Sequence, residues 1–335
     1  MNTDNNHLLK VINHQLGRAE AIVIISHINP DGDALGSSLA LYHYLLKLGK
    51  NARVIMPNDY PDFLKWLPGS DRVFVFNKNK SAAADAIKQA DLLFLLDFNT
   101  LSRTGKAEEL IKESEAFKVL IDHHPDPEDF ADLVYSDTLS SSTAELVYRF
   151  IELTGNTGHI TTTEATCLYT GIMSDTGSFN FNSSQPETYR VLSELLKQGI
   201  DKDYIYSKVY DNFSESRLRL LGYCLDRKMV VLDQFKAAYI SLSLEEKKLY
   251  KYIRGDSEGF VNYPLSIKGV DFAAFFMEND DHVKISFRSK GNFDTNAFAK
   301  NFNGGGHVNA SGGESKMSLS ETIAKFVSLL SGQEK

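Results

Sequence analysis

Cysteine is scarce: Cys167 and Cys224 are the only two among 335 residues, too few for a disulfide framework. Cys167 lies in an apolar helical pattern and reads as a small core residue. The first residues show no basic stretch leading into an apolar one, so no signal peptide is read there. No apolar run approaches the ~18 residues of a membrane span. These absences give the expectation of a cytoplasmic protein without a membrane partner. Positive charge is also short, with 36 Lys and Arg against 44 Asp and Glu and a net charge of −8. Proteins that coat long nucleic acid depend on many cationic contacts to phosphate, so long duplex nucleic acid is not expected as a partner. A small phosphorylated ligand needs only a few local cations and stays open. Internal repeats and low-complexity segments are lacking as well.

What is present is an average globular composition and a length suited to two domains. Apolar strand patterns at 21–26, 52–56, 72–76, 92–97 and 117–122, with an edge strand at 133–136, alternate with helical patterns at 34–48, 81–89 and 106–112. Continuous apolar strands separated by helices predict a doubly wound, mainly parallel α/β sheet covered on both faces. Helical patterns follow at 142–153, 163–174, 186–197, 202–210 and 215–225, the last read as a connector. Beyond residue 227, strand patterns at 230–232, 237–242, 272–278 and 283–288 and helical ones at 294–301 and 321–330 predict a smaller α+β domain. The expected division is 1–213, a helical linker at 214–226, and 227–335.

Polar residues recur where the first domain's apolar patterns end. The run His27-Ile28-Asn29-Pro30-Asp31-Gly32-Asp33 sits on a strand-to-helix turn, at the edge of an open α/β sheet where ligands bind. Its plain alternative is an Asx-turn with Asp33 capping the following helix. Asp97 ends a fully apolar strand, and Asp122-His123-His124 ends another. Asp175 falls near the end of an apolar helix, where the helix dipole disfavours a carboxylate and a cation would relieve it. Asp31, Asp33, Asp97 and Asp175 together carry −4, which two divalent ions balance. Without cations, like charges would be forced together. Oxygen ligands suit hard divalent cations, and imidazole extends the choice toward Mn, Fe or Zn. Paired ions of this kind clamp the attacking and leaving oxygens of a phosphoryl displacement.

These motifs, in this order, resemble those of the DHH phosphoesterases. Gly304-Gly305-Gly306-His307-x-x-Ala310-x-Gly312 is similar to the glycine-rich motif of a DHH-associated domain. The resemblance runs from about His27 to Gly313, and the length fits the nano-RNase and pAp phosphatase branch. It implies a first metal held by His27, Asp31 and Asp97. A second would be held by Asp33, Asp97, His123 and Asp175, with Asp97 shared. It implies manganese as the usual ion, two per site, with magnesium as the alternative. Asp122 and His124 match positions outside the inner metal shell; His124 could donate to the phosphate and Asp122 orient the loop.

The implied reaction is hydrolysis of short single-stranded RNA or 3′-phosphoadenosine 5′-phosphate (pAp) by a hydroxide bridging the two ions. Arg103, close after Asp97, is a candidate phosphate contact. In the second domain Arg288 ends a strand in a Ser-x-Arg-Ser context that the resemblance matches to the family's arginine. Gly304, Gly305 and Gly306 could form an anion nest of backbone N–H groups, with His307 beside them. Asn262, Tyr263 and Phe293 are weaker candidates for a base contact. A homodimer is one assembly this reading allows. The rival readings are a phosphodiesterase for pApA and related products of cyclic dinucleotides, an inorganic pyrophosphatase, and a nucleotide sensor with a vestigial site.

Overall fold

The computed structural model describes residues 3–332, with side chains from residue 6 onward. These residues fall in two units that divide after Asn212. The first unit comprises α1 (Thr3–Arg18), β1 (Ile22–Ile25), α2 (Gly32–Lys47), β2 (Ala52–Met56), β3 (Phe74–Val75), α3 (Lys80–Lys88), β4 (Leu92–Leu96), α4 (Glu108–Glu113), β5 (Phe117–Asp122), β6 (Leu133–Ser136), α5 (Thr143–Leu153), α6 (Thr162–Asp175), α7 (Pro186–Leu196) and α8 (Lys202–Tyr210).

Its sheet is parallel throughout, in the order β3-β2-β1-β4-β5-β6. Strand residues alternate between two cores, as a pleat buried on both faces requires. Ile22, Ile24, Phe94, Leu96 and Ile121 point to one face with Leu35, Leu39, Phe150 and Leu168. Val23, Ile25, Leu93, Leu95 and Leu120 point to the other with Ala83, Ile87 and Ile111. From β1 the chain winds outward to β3, then returns to β4 on β1's free side. That reversal opens a crevice at the carboxyl ends of β1 and β4, the usual ligand position in such sheets.

Local detail adds to these expectations and corrects one of them. The strand predicted at 72–76 shrinks to β3, because Ser70–Arg72 form a 3-10 turn after the left-handed Gly69. The helix predicted at 106–112 is α4, Glu108–Glu113, entered from a 3-10 segment, Leu101–Ala107, that is broken at Gly105 (φ 59°, ψ −123°). The helix α1 was not anticipated; it buries Leu8, Ile12 and Leu16.

The second unit contains α9 (Glu215–Tyr223), β7 (Met229–Leu232), β8 (Ala237–Leu242), α10 (Leu244–Leu249), β9 (Phe272–Glu278), β10 (Val283–Ser289), α11 (Thr295–Ala299), β11 (Gly305–Gly306), β12 (Ala310–Ser315) and α12 (Leu319–Ser331). Its mixed sheet runs β11-β12-β10-β9-β8-β7, parallel only between β8 and β9. The segment read as a connector gives Leu220 and Cys224 to one core of this unit. The other core is a cluster of phenylalanines. Phe293 stacks on Phe272 at 4.2 Å between ring centroids and, half-buried, packs against that cluster. Among the described residues no helix is long and apolar enough to cross a membrane.

Candidate metal centre

Strand register assembles the centre. Ile25 pairs with Leu95 and Leu96 with Ile121, so His27, Asp97 and Asp122 leave three adjacent strands at one level. Asp97 turns sharply off β4 with φ 67°, a left-handed conformation that costs an Asp side chain free energy and marks a constrained site. His27 Nε2 lies 3.2 Å from Asp97 Oδ2. His123 Nε2 lies 3.7 Å from Asp97 Oδ1 and 3.6 Å from Asp175 Oδ2. Asp175 is the last residue of α6.

Backbone carbonyls set the imidazole tautomers. His27 Nδ1 donates to the Ile28 carbonyl and His123 Nδ1 to that of Ser140. Both rings therefore turn Nε2 toward the carboxylates, the arrangement that orients histidine as a metal ligand.

The helix that follows β1 is capped by Asp31, not Asp33. Asp31 Oδ1 accepts from the N–H groups of Asp33 and Ala34, each at 3.0 Å. Asp33 is in the first turn of α2 and reaches across to the N-terminus of α5. Its oxygens accept from Thr143 N at 2.7 Å and Ala144 N at 2.8 Å. Two helix N-termini thus stabilise this buried carboxylate. Thr143 Oγ1 donates to Asp97 Oδ1 at 3.0 Å.

The run Ser140–Thr143 was not singled out from sequence. All four residues are buried, and they touch His123, Asp33 and Asp97. Glu145 braces the run by accepting from Ser141 N, Ser141 Oγ and Thr188 Oγ1. The readable signal was Ser142-x-x-Glu145, a capping-box pattern, placed just before a helix.

Glycines bring α2 and α6 close. A Cβ on Gly36 would meet the Cys167 carbonyl oxygen at 2.5 Å, and one on Gly171 would meet Ala144 Cβ at 2.6 Å and Asp33 Oδ1 at 2.9 Å. This crossing brings Asp33 and Asp175 into one group of ligand-type atoms with His123. Gly171→Ala is expected to destabilise the fold by about 1–3 kcal/mol through overpacking. Urea unfolding checks this, and an unchanged midpoint would mean the helices separate freely.

Within the first unit, ligand-type atoms group three ways, each group within 4.8 Å: His27, Asp31 and Asp97; Asp33, His123 and Asp175; Asp97, Asp122 and His124. The titration shifts fit a centre built for cations. Burial raises the Asp33 carboxyl well above its ordinary range, as do Asp97, Asp175 and Asp31 nearby. Burial acts against the charged form of Asp97 too, but the His27 hydrogen bond and the neighbouring imidazoles hold its carboxyl well below that range. Burial lowers His27 and His123, yet carboxylates outweigh it and raise both: Asp97 for His27, Asp175 and Asp97 for His123. Without ions, protons must hold positive charge among these oxygens. Mixed carboxylate and imidazole donors suit Mn²⁺ and its neighbours.

His124 Nδ1 is 2.7 Å from Asp122 Oδ1, and its Nε2 is 2.9 Å from Arg103 Nη1. Arg103 therefore stands beside the centre. Its carbonyl oxygen also accepts from Ile28 N at 2.7 Å.

In the second unit, Arg288 pairs with Ala310 across β10 and β12. His307 N donates to the Ala310 carbonyl at 2.8 Å, so Arg288, Gly306 and His307 share one end of that sheet. The expected anion nest is corrected. Gly304 N donates to Ala299 O and Gly306 N to the Asn296 side chain, which leaves these N–H groups engaged. Glycine is needed here for packing instead: Gly306 has φ 146°, and a Cβ on it would meet Ala310 O at 2.7 Å. Of the other candidates, Tyr263 is exposed, and Asn262 Oδ1 is buried with no hydrogen-bond partner among the described residues.

A doubly wound parallel sheet with interleaved carboxylates and imidazoles at its reversal, joined to a second α/β unit, defines a two-unit α/β protein with a candidate metal centre. The model for the DHH family, N-terminal domain, matches residues 21–172 and that for the DHHA1 domain matches 245–333; the chain belongs to the DHH family. It is 32% identical over 291 residues to the bifunctional oligoribonuclease and PAP phosphatase NrnA of Thermus thermophilus, covering 87% of this chain and 83% of that one. It is 26% identical to the protein of the same name from Bacillus subtilis, over 88% of each. The crystal structure of an exopolyphosphatase-related protein from Bacteroides fragilis superimposes with a TM-score of 0.93 at 47% identity, covering 98% of this chain and 96% of that one.

Proposed function

We propose that this chain is a metal-dependent phosphoesterase hydrolysing short oligoribonucleotides and pAp. The observation that carries the reading is Asp97, whose two carboxylate oxygens face different ligand groups, His27 on one side and His123 on the other. One ion would be held by His27, Asp31 and Asp97, and a second by Asp33, Asp97, His123 and Asp175, with Mn²⁺ the first candidate and Mg²⁺ the second. Bound there, the ions would lower the pKa of water and neutralise charge on the phosphoryl oxygens.

The chain's own residues do the remaining work. The α5 amides and Thr143 fix the directions of Asp33 and Asp97, so little reorganisation accompanies the reaction. The Ile28 and Ser140 carbonyls keep both imidazoles presenting Nε2. Arg103 supplies donors beside His124, and Arg288 supplies a planar fork for a phosphate of the substrate.

Purified protein with Mn²⁺ should hydrolyse pAp and a dinucleotide in a panel that also holds pApA, pyrophosphate and linear polyphosphate. Intact pAp and dinucleotide would overturn the reading. Arg288→Ala should raise KM by about 10–100-fold, the loss of a charge-assisted hydrogen bond, while bound metal stays constant. A parallel loss of metal would remove Arg288 from substrate binding.

A further inference from the structure

Two hydrogen bonds of His124 set its tautomer by geometry alone. A guanidinium has five donors and no acceptor. Arg103 Nη1 at 2.9 Å from His124 Nε2 therefore makes Nε2 the acceptor. The neutral ring then carries its proton on Nδ1, 2.7 Å from Asp122 Oδ1, which accepts it. Asp122 is fully buried, and among the described residues its Oδ2 has no hydrogen-bond partner. A buried carboxylate with an orphaned oxygen is an expensive way to hold a loop. Its position is better explained by what it does to the ring.

We propose that Asp122 is a positioning residue: through the tautomer it imposes on His124, it aims Arg103 at a non-bridging phosphate oxygen of the substrate. This rests on the phosphoesterase reading. The direct donor to phosphate is Arg103, and His124 is the buttress that turns it. Arg103 is partly exposed, and among the described residues its Nε and Nη2 make no hydrogen bond, which leaves a donor pair for the ligand. Its backbone is held in place too. Arg103 O accepts from Ile28 N, and Gly105, at φ 59°, would set a Cβ 2.8 Å from Ile28 Cγ2. The guanidinium therefore pivots from a fixed base, and the imidazole decides where it points.

The near-isosteric Asp122→Asn tests this. Its amide can donate to Nδ1, which moves the ring proton to Nε2 and sets it against the Arg103 donor; an imposed wrong tautomer is a known consequence of this change in a catalytic triad. Nitrogen NMR of histidine-labelled, Mg²⁺-loaded protein should show His124 protonated at Nδ1 in the wild type and at Nε2 in the variant. With Mn²⁺ and pAp, Asp122→Asn should raise KM about 10–100-fold, with kcat changed far less and bound metal unchanged. Arg103→Ala should do the same, and the double variant should be no worse than Arg103→Ala alone. Additive losses, an unmoved tautomer, or metal lost in step with KM would each overturn the proposal. A wild-type protein inert toward pAp would overturn the phosphoesterase reading instead, and the NMR result would still decide the tautomer.

Discussion

Asp97→Ala is expected to lower the rate of pAp hydrolysis by at least about 10³-fold, equivalent to ~4 kcal/mol of transition-state stabilisation. The size follows from the position of one carboxylate. Oδ2 faces His27 Nε2 at 3.2 Å, while Oδ1 faces His123 Nε2 at 3.7 Å and accepts from Thr143. Removing it strips one ligand from each proposed ion position and frees both imidazoles from their common partner. Loss of any other ligand weakens one position only. Asp97→Asn is the companion variant, because asparagine tolerates the φ of 67° at this residue. It should stay folded and be nearly as inactive. Single-turnover hydrolysis with Mn²⁺, alongside metal content by mass spectrometry, checks both. Activity within tenfold of wild type would end the shared-ligand role.

The second large effect joins stability, pH and metal. Asp33 holds its proton to higher pH in the fold than in the unfolded chain. Its contribution is therefore complete below the ordinary carboxylate range and fades as pH rises through the folded value. His27 and His123 are raised from their ordinary value of 6.5, so their contributions fade as pH rises above that value. Asp97 has the opposite sign: its contribution is lost only as pH falls below the ordinary carboxylate range and is constant across neutrality. Metal-stripped protein should therefore lose stability between about pH 5 and pH 8. Mn²⁺ competes with the same protons, so its stabilisation should grow over that interval, reaching ~3 kcal/mol when free metal is about 100 times its Kd. Thermal melts with EDTA or Mn²⁺ across this range would show the two curves diverging upward in pH. Parallel curves would mean that the ions do not bind at Asp33, His27 and His123.

Much of the centre was legible in the chain, for a definite reason. A strand buried on both faces must be apolar along its length, so the acids and imidazoles after Ile25, Leu96 and Ile121 stand out as abrupt breaks. Their recurrence at strand ends pointed to one sheet edge. Asp175 was visible because a carboxylate at a helix C-terminus is unfavourable. Gly304–Gly306 misled, since the same triplet serves an anion nest or a tight strand pairing. Here Asn296 and Ala299 take up the N–H groups of Gly306 and Gly304. Ser140–Thr143 passed unnoticed because hydroxyl residues ahead of a helix are ordinary caps.

By itself the sequence determined the parallel sheet, the two-part organisation and the residues able to carry metal chemistry, because hydrophobic periodicity and its interruptions are local properties. Only the tertiary structure decided which atoms meet. Asp33 takes its hydrogen bond from Thr143, 110 residues further along the chain, across a helix crossing that Gly36 and Gly171 make close. Arg103, His124 and Asp122 form a chain of donors and acceptors whose order no spacing encodes. Such pairings depend on register, crossing distance and tautomer, which exist only once distant segments are packed together.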